Sequence, residues 1–252
     1  MAILEARDVG IRFGAISAVD GVTFDVEPGT VFTIIGPNGA GKTTLFNLIS
    51  RIYDTSVGKL TFEGRDITHL PAHSIAGLGI ARTFQNLELF DNATVLQNLL
   101  LGRHAHTRFN LLAEFLFLKS VRGQELAHRE KAEEVIGFLK LHKYRDSPIV
   151  DLPYGVRKVV ELGRALCSEP RLLLLDEPSS GLNSEETREM AYWIHDIRDR
   201  YGVTVLMVEH DMALVNRVSD RVLALNYGRV IAVGTAAQVQ SHPDVITAYL
   251  GS

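Results

Sequence analysis

Residues 36 to 44 read Gly36, Pro37, Asn38, Gly39, Ala40, Gly41, Lys42, Thr43 and Thr44. This is the spacing G-x-x-x-x-G-K-[ST], and it suits a phosphate cradle. Closely spaced phosphate oxygens need many backbone N–H groups pointing inward, and a chain that bends so tightly needs glycines. Lys42 can place a point charge between the outer phosphates of a triphosphate, and the Thr43 hydroxyl can ligate Mg2+. A second set of candidates follows the apolar run Leu172 to Leu175, which ends in Asp176, Glu177 and Pro178. An acid at the C-terminal end of a buried strand lies at the sheet edge where ligands bind. Asp176 is therefore suited to Mg2+, directly or through water, and Glu177 to orient or deprotonate an attacking water. By itself Asp-Glu-Pro also reads as a turn after a strand; the phosphate loop upstream favours the functional reading. A third run, Val203 to Val208, delivers Glu209 and His210. A neutral imidazole there could hydrogen-bond a terminal phosphate, although the chain has nine histidines and His210 also reads as a surface residue. On spacing alone Gln85, after Ile80 to Phe84, reads as solvent-exposed.

These groups need elements to hold them. Val31 to Ile35 precedes the phosphate loop as a buried parallel strand, and Leu45 to Ser50 continues it as an apolar-periodic helix whose positive N-terminal end faces the anion. Further strands are predicted over Ile3 to Val9, Val22 to Val26, Lys59 to Glu63, Arg171 to Leu175, Val203 to Val208 and Arg221 to Leu225. Helices are predicted over Val156 to Cys167, Glu185 to Tyr201 and Met212 to Val218. Asn183 with Glu186 three residues on marks a capped helix start. Strands alternating with helices give an α/β fold with a mainly parallel sheet. The early strands, close together without helices, form an antiparallel β layer beside it. From about residue 87 the chain turns helix-rich, with Leu96, Leu99 and Leu100 and then Glu125 to Leu141. We read about 87–168 as a helical subdomain inserted into the nucleotide-binding core.

The whole chain narrows the function classes. Its 252 residues, 46% of them hydrophobic, suffice for one large domain with a subdomain. The net charge of −4, with no basic block, gives no sign of a nucleic-acid partner. A single cysteine, Cys167, excludes an intrachain disulfide and argues against a cysteine metal site, which fits a reducing compartment. Glu5, Arg7, Asp8 and Arg12 near the start do not read as a signal peptide. The richest apolar stretch, Leu111 to Leu118, is short and interrupted by Glu114, so a link to a membrane would go through another protein.

Taken together, the ordered motifs resemble the ATP-binding subunits of ABC transporters over essentially the whole chain. They are Gly36 to Thr44 (Walker A), Gln85 (Q-loop), Leu152 to Val156 (signature), Leu172 to Glu177 (Walker B), Ser180 to Asn183 (D-loop) and His210 (switch histidine). Finer segments are similar to the ATPases of branched-chain amino acid importers, the LivG type: Phe13 to Asp20, Ala81 to Asn86, Gly181 to Asn183, and Asn226 to Gly251. The resemblance implies a P-loop NTPase core, ATP and Mg2+, with Gln85 joining Thr43 and Asp176 at the metal. It implies that Phe13 stacks on adenine, where the residue alone also reads as core packing. It further implies a head-to-tail dimer with a second ATPase subunit, a copy or a paralogue. In that dimer Tyr154 and Gly155 face the partner's ATP. Catalysis is assigned to Glu177, His210 and Lys42. The implied setting is the cytoplasmic face of the membrane, on integral permeases and indirectly a solute-binding protein. The helical insert, carrying the Gln85 region and the signature, would meet the permease.

The signature departs from the family pattern, with Pro153 in place of the usual Ser and Val156 in place of Gln. Pro153 lacks a hydroxyl and a backbone donor, so the ATP facing it is expected to be held less well. Asn183 replaces the common aspartate. Three alternatives are weighed: a soluble ABC-type ATPase not linked to transport, a small-molecule kinase, and a module that binds ATP without turning it over. The absence of long coiled-coil insertions, the signature with the switch histidine, and the Asp176–Glu177 pair respectively argue against them.

Overall fold

The structure is a computed structural model that describes residues 1–83, 87–104 and 119–250. In chain order it begins with β1 (Leu4–Phe13), β2 (Ile16–Val26), β3 (Val31–Ile35), α1 (Lys42–Ile49), β4 (Val57–Phe62), β5 (Arg65–Asp66), α2 (Ala72–Gly77) and β6 (Ile80–Arg82). The helices α3 (Val95–Leu101), α4 (Lys119–Phe138) and α5 (Tyr154–Cys167) follow. The chain closes with β7 (Leu172–Asp176), α6 (Ser184–Tyr201), β8 (Thr204–Val208), α7 (Met212–Val218), β9 (Arg221–Asn226), β10 (Arg229–Gly234), α8 (Ala236–Gln240) and α9 (Pro243–Leu250). It divides into two compact units, Met1–Gln85 with Arg171–Ser252, and Asn86–Pro170.

The first unit is built on two sheets. Among the described residues the larger has six strands in the order β10-β9-β3-β8-β7-β6. The pairs β9–β3, β3–β8, β8–β7 and β7–β6 are parallel, and β10 joins antiparallel to β9. Every residue of β3, β7 and β8 is buried, the pattern of parallel strands covered on both faces. The smaller sheet, β2-β1-β4-β5, is antiparallel. Its strands carry both buried and exposed positions, with alternation clearest at the end of β2, as one covered face requires. Phe24 of β2 stacks on Phe32 of β3 with ring centroids 5.4 Å apart, joining the sheets through one core. Leu45, Phe46, Leu48 and Ile49 of α1 are fully buried in that core. Each such side chain contributes about 2 kcal/mol of transfer free energy, so α1 is fixed by its apolar face. The register then places the site. Asp176 at the end of β7 lies level with Val208 at the end of β8, and β3 runs beside β8 in the same direction. Three successive loops therefore leave one edge of the sheet.

The second unit is helical among its described residues. Thr94 caps α3 through a reciprocal capping box with Gln97. The buried Asn98 side chain bonds the Phe90, Ala93 and Thr94 carbonyls and accepts from the Phe90 N–H, fixing the loop before that helix. Val95 and Leu99, Ala132, Val135 and Ile136, and Val160, Leu162 and Leu166 form its apolar interior. Cys167 is buried here, and burial pushes its thiol up to about 12. Among the described residues no helix is long and apolar enough to cross a membrane.

The periodic segments fold as expected, with ends displaced by a few residues: α5 starts at Tyr154 and β2 at Ile16. The periodic reading stops at Leu225, whereas the chain adds β10, α8 and α9. β10 is half-buried throughout most of its length, so it shows no clean two-residue alternation.

Candidate nucleotide site

β3 ends where Gly36 turns the chain. A Cβ at Gly36 would lie 2.3 Å from the Leu225 carbonyl oxygen, so only glycine lets the loop press against the end of β9. Gly41, the N-cap of α1, has a left-handed φ of 100°, and a Cβ there would lie 2.4 Å from the Ala18 carbonyl oxygen. No side chain caps this helix start, so its first N–H groups keep their capacity for an anion. Lys42 is buried, and its Nζ donates to the Gly36 oxygen at 2.7 Å and the Pro37 oxygen at 3.0 Å. Burial lowers its pKa, and the negative charges of Glu177 and Asp176 partly oppose that shift. The loop from Asn38 to Thr44 lines an open cavity of about 410 Å³ with Glu177, the β1–β2 hairpin residues Ile16 to Ala18, and Tyr227. Its size lies in the range of small-molecule pockets.

Asp176 is buried at the end of β7, and its Oδ2 accepts from Arg82 at 2.8 Å. Its Oδ1 is also buried and has no hydrogen-bond partner among the described residues. A buried carboxylate oxygen without a partner is costly, and a hard cation or its water shell is the chemistry that suits it. Glu177 holds a left-handed φ of 49° while its N–H donates to the Val208 oxygen at 3.0 Å. That conformation costs a non-glycine residue about 1 kcal/mol or more; it is the backbone bend that carries the chain off β7. The half-exposed His210 sets its Nδ1 3.7 Å from Glu177 Oε2. So Lys42, Asp176, Glu177 and His210 converge on the sheet edge beside the loop.

Three residues without a role in the sequence reading complete the arrangement. Arg82 is the first, as Asp176's partner. Glu209, fully buried, accepts from the Ser179 N–H at 2.9 Å through Oε1 and from the His210 and Asp211 N–H groups at 2.7 and 2.9 Å through Oε2. It ties the turn after β7 to the loop that carries His210. Tyr249 of α9 is the third: burial raises its hydroxyl pKa, against a hydrogen bond from the Gly36 N–H. A second cavity of about 390 Å³ lies between Pro37 to Ala40 and α9 residues Asp244, Thr247 and Ala248. The available signal for Arg82 and Glu209 was a charged residue at the end of a short apolar strand; Tyr249 gave none.

Other predicted residues are placed differently. Phe13 is 49% exposed, which removes the core-packing reading, and it meets Tyr53 edge-on at 5.4 Å. The cavity is lined not by Phe13 but by its hairpin partner Ile16. Gln85 lies outside the described residues. Tyr154 and Gly155 occupy the first turn of α5 in the helical unit, exposed and buried respectively. Pro153 is the N-cap of α5 and supplies no side-chain cap. Arg157 instead donates to the Leu152 and Val150 carbonyls at 2.8 and 2.7 Å. Asn183 caps α6, accepting from Glu185 and Glu186 N–H groups, in a reciprocal box with Glu186.

A phosphate loop, an acidic strand end and a histidine on one edge of this sheet define a nucleotide-binding ATPase domain. A family model described as ABC transporter matches residues 19–180, and one described as Branched-chain amino acid ATP-binding cassette transporter matches residues 229–252. The chain belongs to the ATP-binding cassette family of ABC transporters, whose domain binds and hydrolyses ATP. It is similar to the high-affinity branched-chain amino acid transport ATP-binding protein BraF of Pseudomonas aeruginosa, 41% identical over 249 residues, 99% of this chain and 98% of that one. The corresponding protein LivG of Escherichia coli K12 is 36% identical over 249 residues, with the same coverage. Among solved structures, a nucleotide-free ATP-binding cassette from an ABC transporter matches with a TM-score of 0.87 at 33% identity, all of both chains covered. A structure of the ADP conformation of an ATP-binding cassette of an ABC transporter matches at 0.86 and 32%, again over all of both chains.

Proposed function

We propose that this chain is the ATP-hydrolysing subunit of an importer for branched-chain amino acids or closely related small solutes. The observation that carries the ATPase reading is the convergence of Lys42, Asp176, Glu177 and His210 beside the Gly36–Thr44 loop. The relatives named as branched-chain amino acid transport proteins, together with the C-terminal match over 229–252, support the cargo class.

The loop amides and Lys42 bind the phosphates of ATP, and Lys42 exchanges its two carbonyl partners for phosphate oxygens. Thr43, Asp176 and Gln85 would hold Mg2+, and the partnerless Asp176 Oδ1 fits that role. Magnesium, when bound, neutralises charge on the phosphate oxygens. Glu177 takes up or orients the proton of the attacking water, and His210, held by its backbone to Glu209, steadies the terminal phosphate. Phe13 contributes an exposed aromatic face for adenine, with Ile16 and Tyr227 at the cavity rim.

A second ATPase subunit, copy or paralogue, completes each site by placing the start of its α5 against the bound ATP. ATP then favours the closed pair because only there does it touch both subunits. The helical unit over about 87–168 meets integral permeases at the cytoplasmic face of the membrane, and a solute-binding protein supplies cargo to them. The test is uptake of radiolabelled leucine by vesicles containing this chain with its permeases, second ATPase and binding protein. ATP-dependent uptake is the expected result. ATP hydrolysis with no transport of any branched-chain or related amino acid overturns the cargo assignment.

A further inference from the structure

Arg82 stands at the end of β6, level with Leu174 of β7. Asp176 lies two residues beyond Leu174, on the same face of the sheet. The Arg82 guanidinium reaches that carboxylate and two further partners. One amino group donates to Asp176 Oδ2 at 2.8 Å, the other to Asn47 Oδ1 and Ser50 Oγ, each at 2.7 Å. Its Cζ lies 5.6 Å from the centre of the Phe46 ring. The side chains of Arg82 and Asp176 are 8% and 2% exposed.

Asn47 and Phe46 belong to α1, the helix whose first turn carries Thr43, and Ser50 is its C-cap. One buried fork therefore joins the two elements on either side of the proposed metal position. It also divides the work of the carboxylate: Oδ2 is held by Arg82, while Oδ1 has no partner among the described residues. A planar guanidinium can bond two directions at once in fixed geometry, which lysine cannot. We propose that Arg82 is a positioning residue for magnesium: it locks Asp176 to α1 and leaves Oδ1 for the metal that Thr43 would also hold. Arg82 touches neither metal nor nucleotide, and its effect runs through Asp176. The proposal rests on the assignment of Asp176 to Mg2+ made above.

Binding of trinitrophenyl-ATP to the purified full chain, in EDTA and in saturating Mg2+, separates the two. The quantity read is the gain in affinity on adding Mg2+. Arg82→Gln is expected to cut that gain about tenfold, the worth of a charge-assisted hydrogen bond, while the affinity in EDTA stays within about twofold. Arg82→Lys, which keeps the charge and loses the fork, falls between. Asp176→Asn abolishes the gain. Equal weakening in EDTA and Mg2+, or an undiminished gain in Arg82→Gln beside a lost gain in Asp176→Asn, overturns the role of Arg82 alone. A gain that survives in Asp176→Asn, or is missing from the parent chain, overturns the magnesium assignment and this proposal with it. If Arg82→Gln shows no cooperative melt, Asn47→Ala/Ser50→Ala leaves the Arg82–Asp176 pair in place. It should lower the gain about threefold, as two neutral partners of the fork are lost, and an unchanged gain overturns the proposal.

Discussion

Two uncapped helix starts in this molecule are built differently. At the start of α1 the N-cap is Gly41, in a left-handed turn, and no side chain claims the first N–H groups. A buried lysine stands at the mouth of the loop, with its Nζ resting on two carbonyls. Asp176 and Glu177 add negative charge within reach of that lysine. At the start of α5 the N-cap is Pro153, again without a side-chain cap. There the one cation in the first turn, Arg157, is turned back onto the Val150 and Leu152 carbonyls. The first start holds an amide cradle, a buried lysine and an acidic pair. The second offers amides and a helix dipole only. The proposed reaction chemistry needs the groups found at the first. A helix N-terminus by itself offers attraction for an anion; in the proposed function the charged side chains brought in from other strands supply the catalysis.

The largest effect should come from removing chemistry at the first start while leaving its cradle intact. Glu177→Gln is expected to lower the ATPase rate of the assembled transporter by about 100-fold or more, the usual worth of a general base. ATP affinity should stay within about twofold, because phosphate contacts are unaffected. Hydrolysis at the parent rate would remove Glu177 from the mechanism and leave the two starts more alike. Next in size is Lys42→Met. Loss of a charge-assisted phosphate contact should weaken nucleotide binding by about ten- to a hundredfold, as read by trinitrophenyl-ATP titration. The same variant has a pH signature. The folded protein lowers the pKa of Lys42 below 10.5, chiefly by burial. The unfolded chain therefore holds the extra proton between that lowered value and 10.5, so stability rises with pH across that window. The parent's denaturation midpoint should climb relative to that of Lys42→Met as pH approaches 10.5; parallel curves would show that Lys42 is not desolvated.

Much of the first start was legible because its constraints are local in sequence. Gly36 and Gly41 are dictated by carbonyls 2.3 and 2.4 Å from where a Cβ would lie, and the motif reports that crowding directly. β3, β7 and β8 were legible as short, largely apolar runs, since both faces of a central parallel strand are buried. The same logic hid Arg82, Glu209 and Tyr249. Their partners lie 94, 30 and more than 200 residues away, and no period marks a contact that only the fold creates. Phe13 was ambiguous for another reason: an aromatic at a strand end serves a core or a ligand equally well until its exposure is known. The start of α5 was legible as a departure from pattern, but its use of Arg157 as a substitute for a capped turn was not.

The smallest change is expected at Pro153. Pro153 sits at the N-cap with φ −55° and ψ 150°, backbone angles that serine adopts without strain. Serine there would add a hydroxyl able to accept from an N–H of the first turn, an exchange worth about 1 kcal/mol. It would also restore the backbone N–H that proline lacks. Against this, proline restricts the unfolded chain, and losing that restriction gives back about 0.4–1 kcal/mol. The net change in the stability of the helical unit should therefore be small, about 0.5 kcal/mol in either direction. Chemical denaturation of the full chain measures it. The functional change should exceed it, because the new hydroxyl and N–H can both face a phosphate of the partner's ATP. In the assembled transporter Pro153→Ser is expected to lower the ATP concentration for half-maximal hydrolysis about three- to tenfold, with the maximal rate changed less. If that concentration does not move, Pro153 does not weaken the site it faces, and the gap between the two starts lies in Lys42, Asp176 and Glu177 alone.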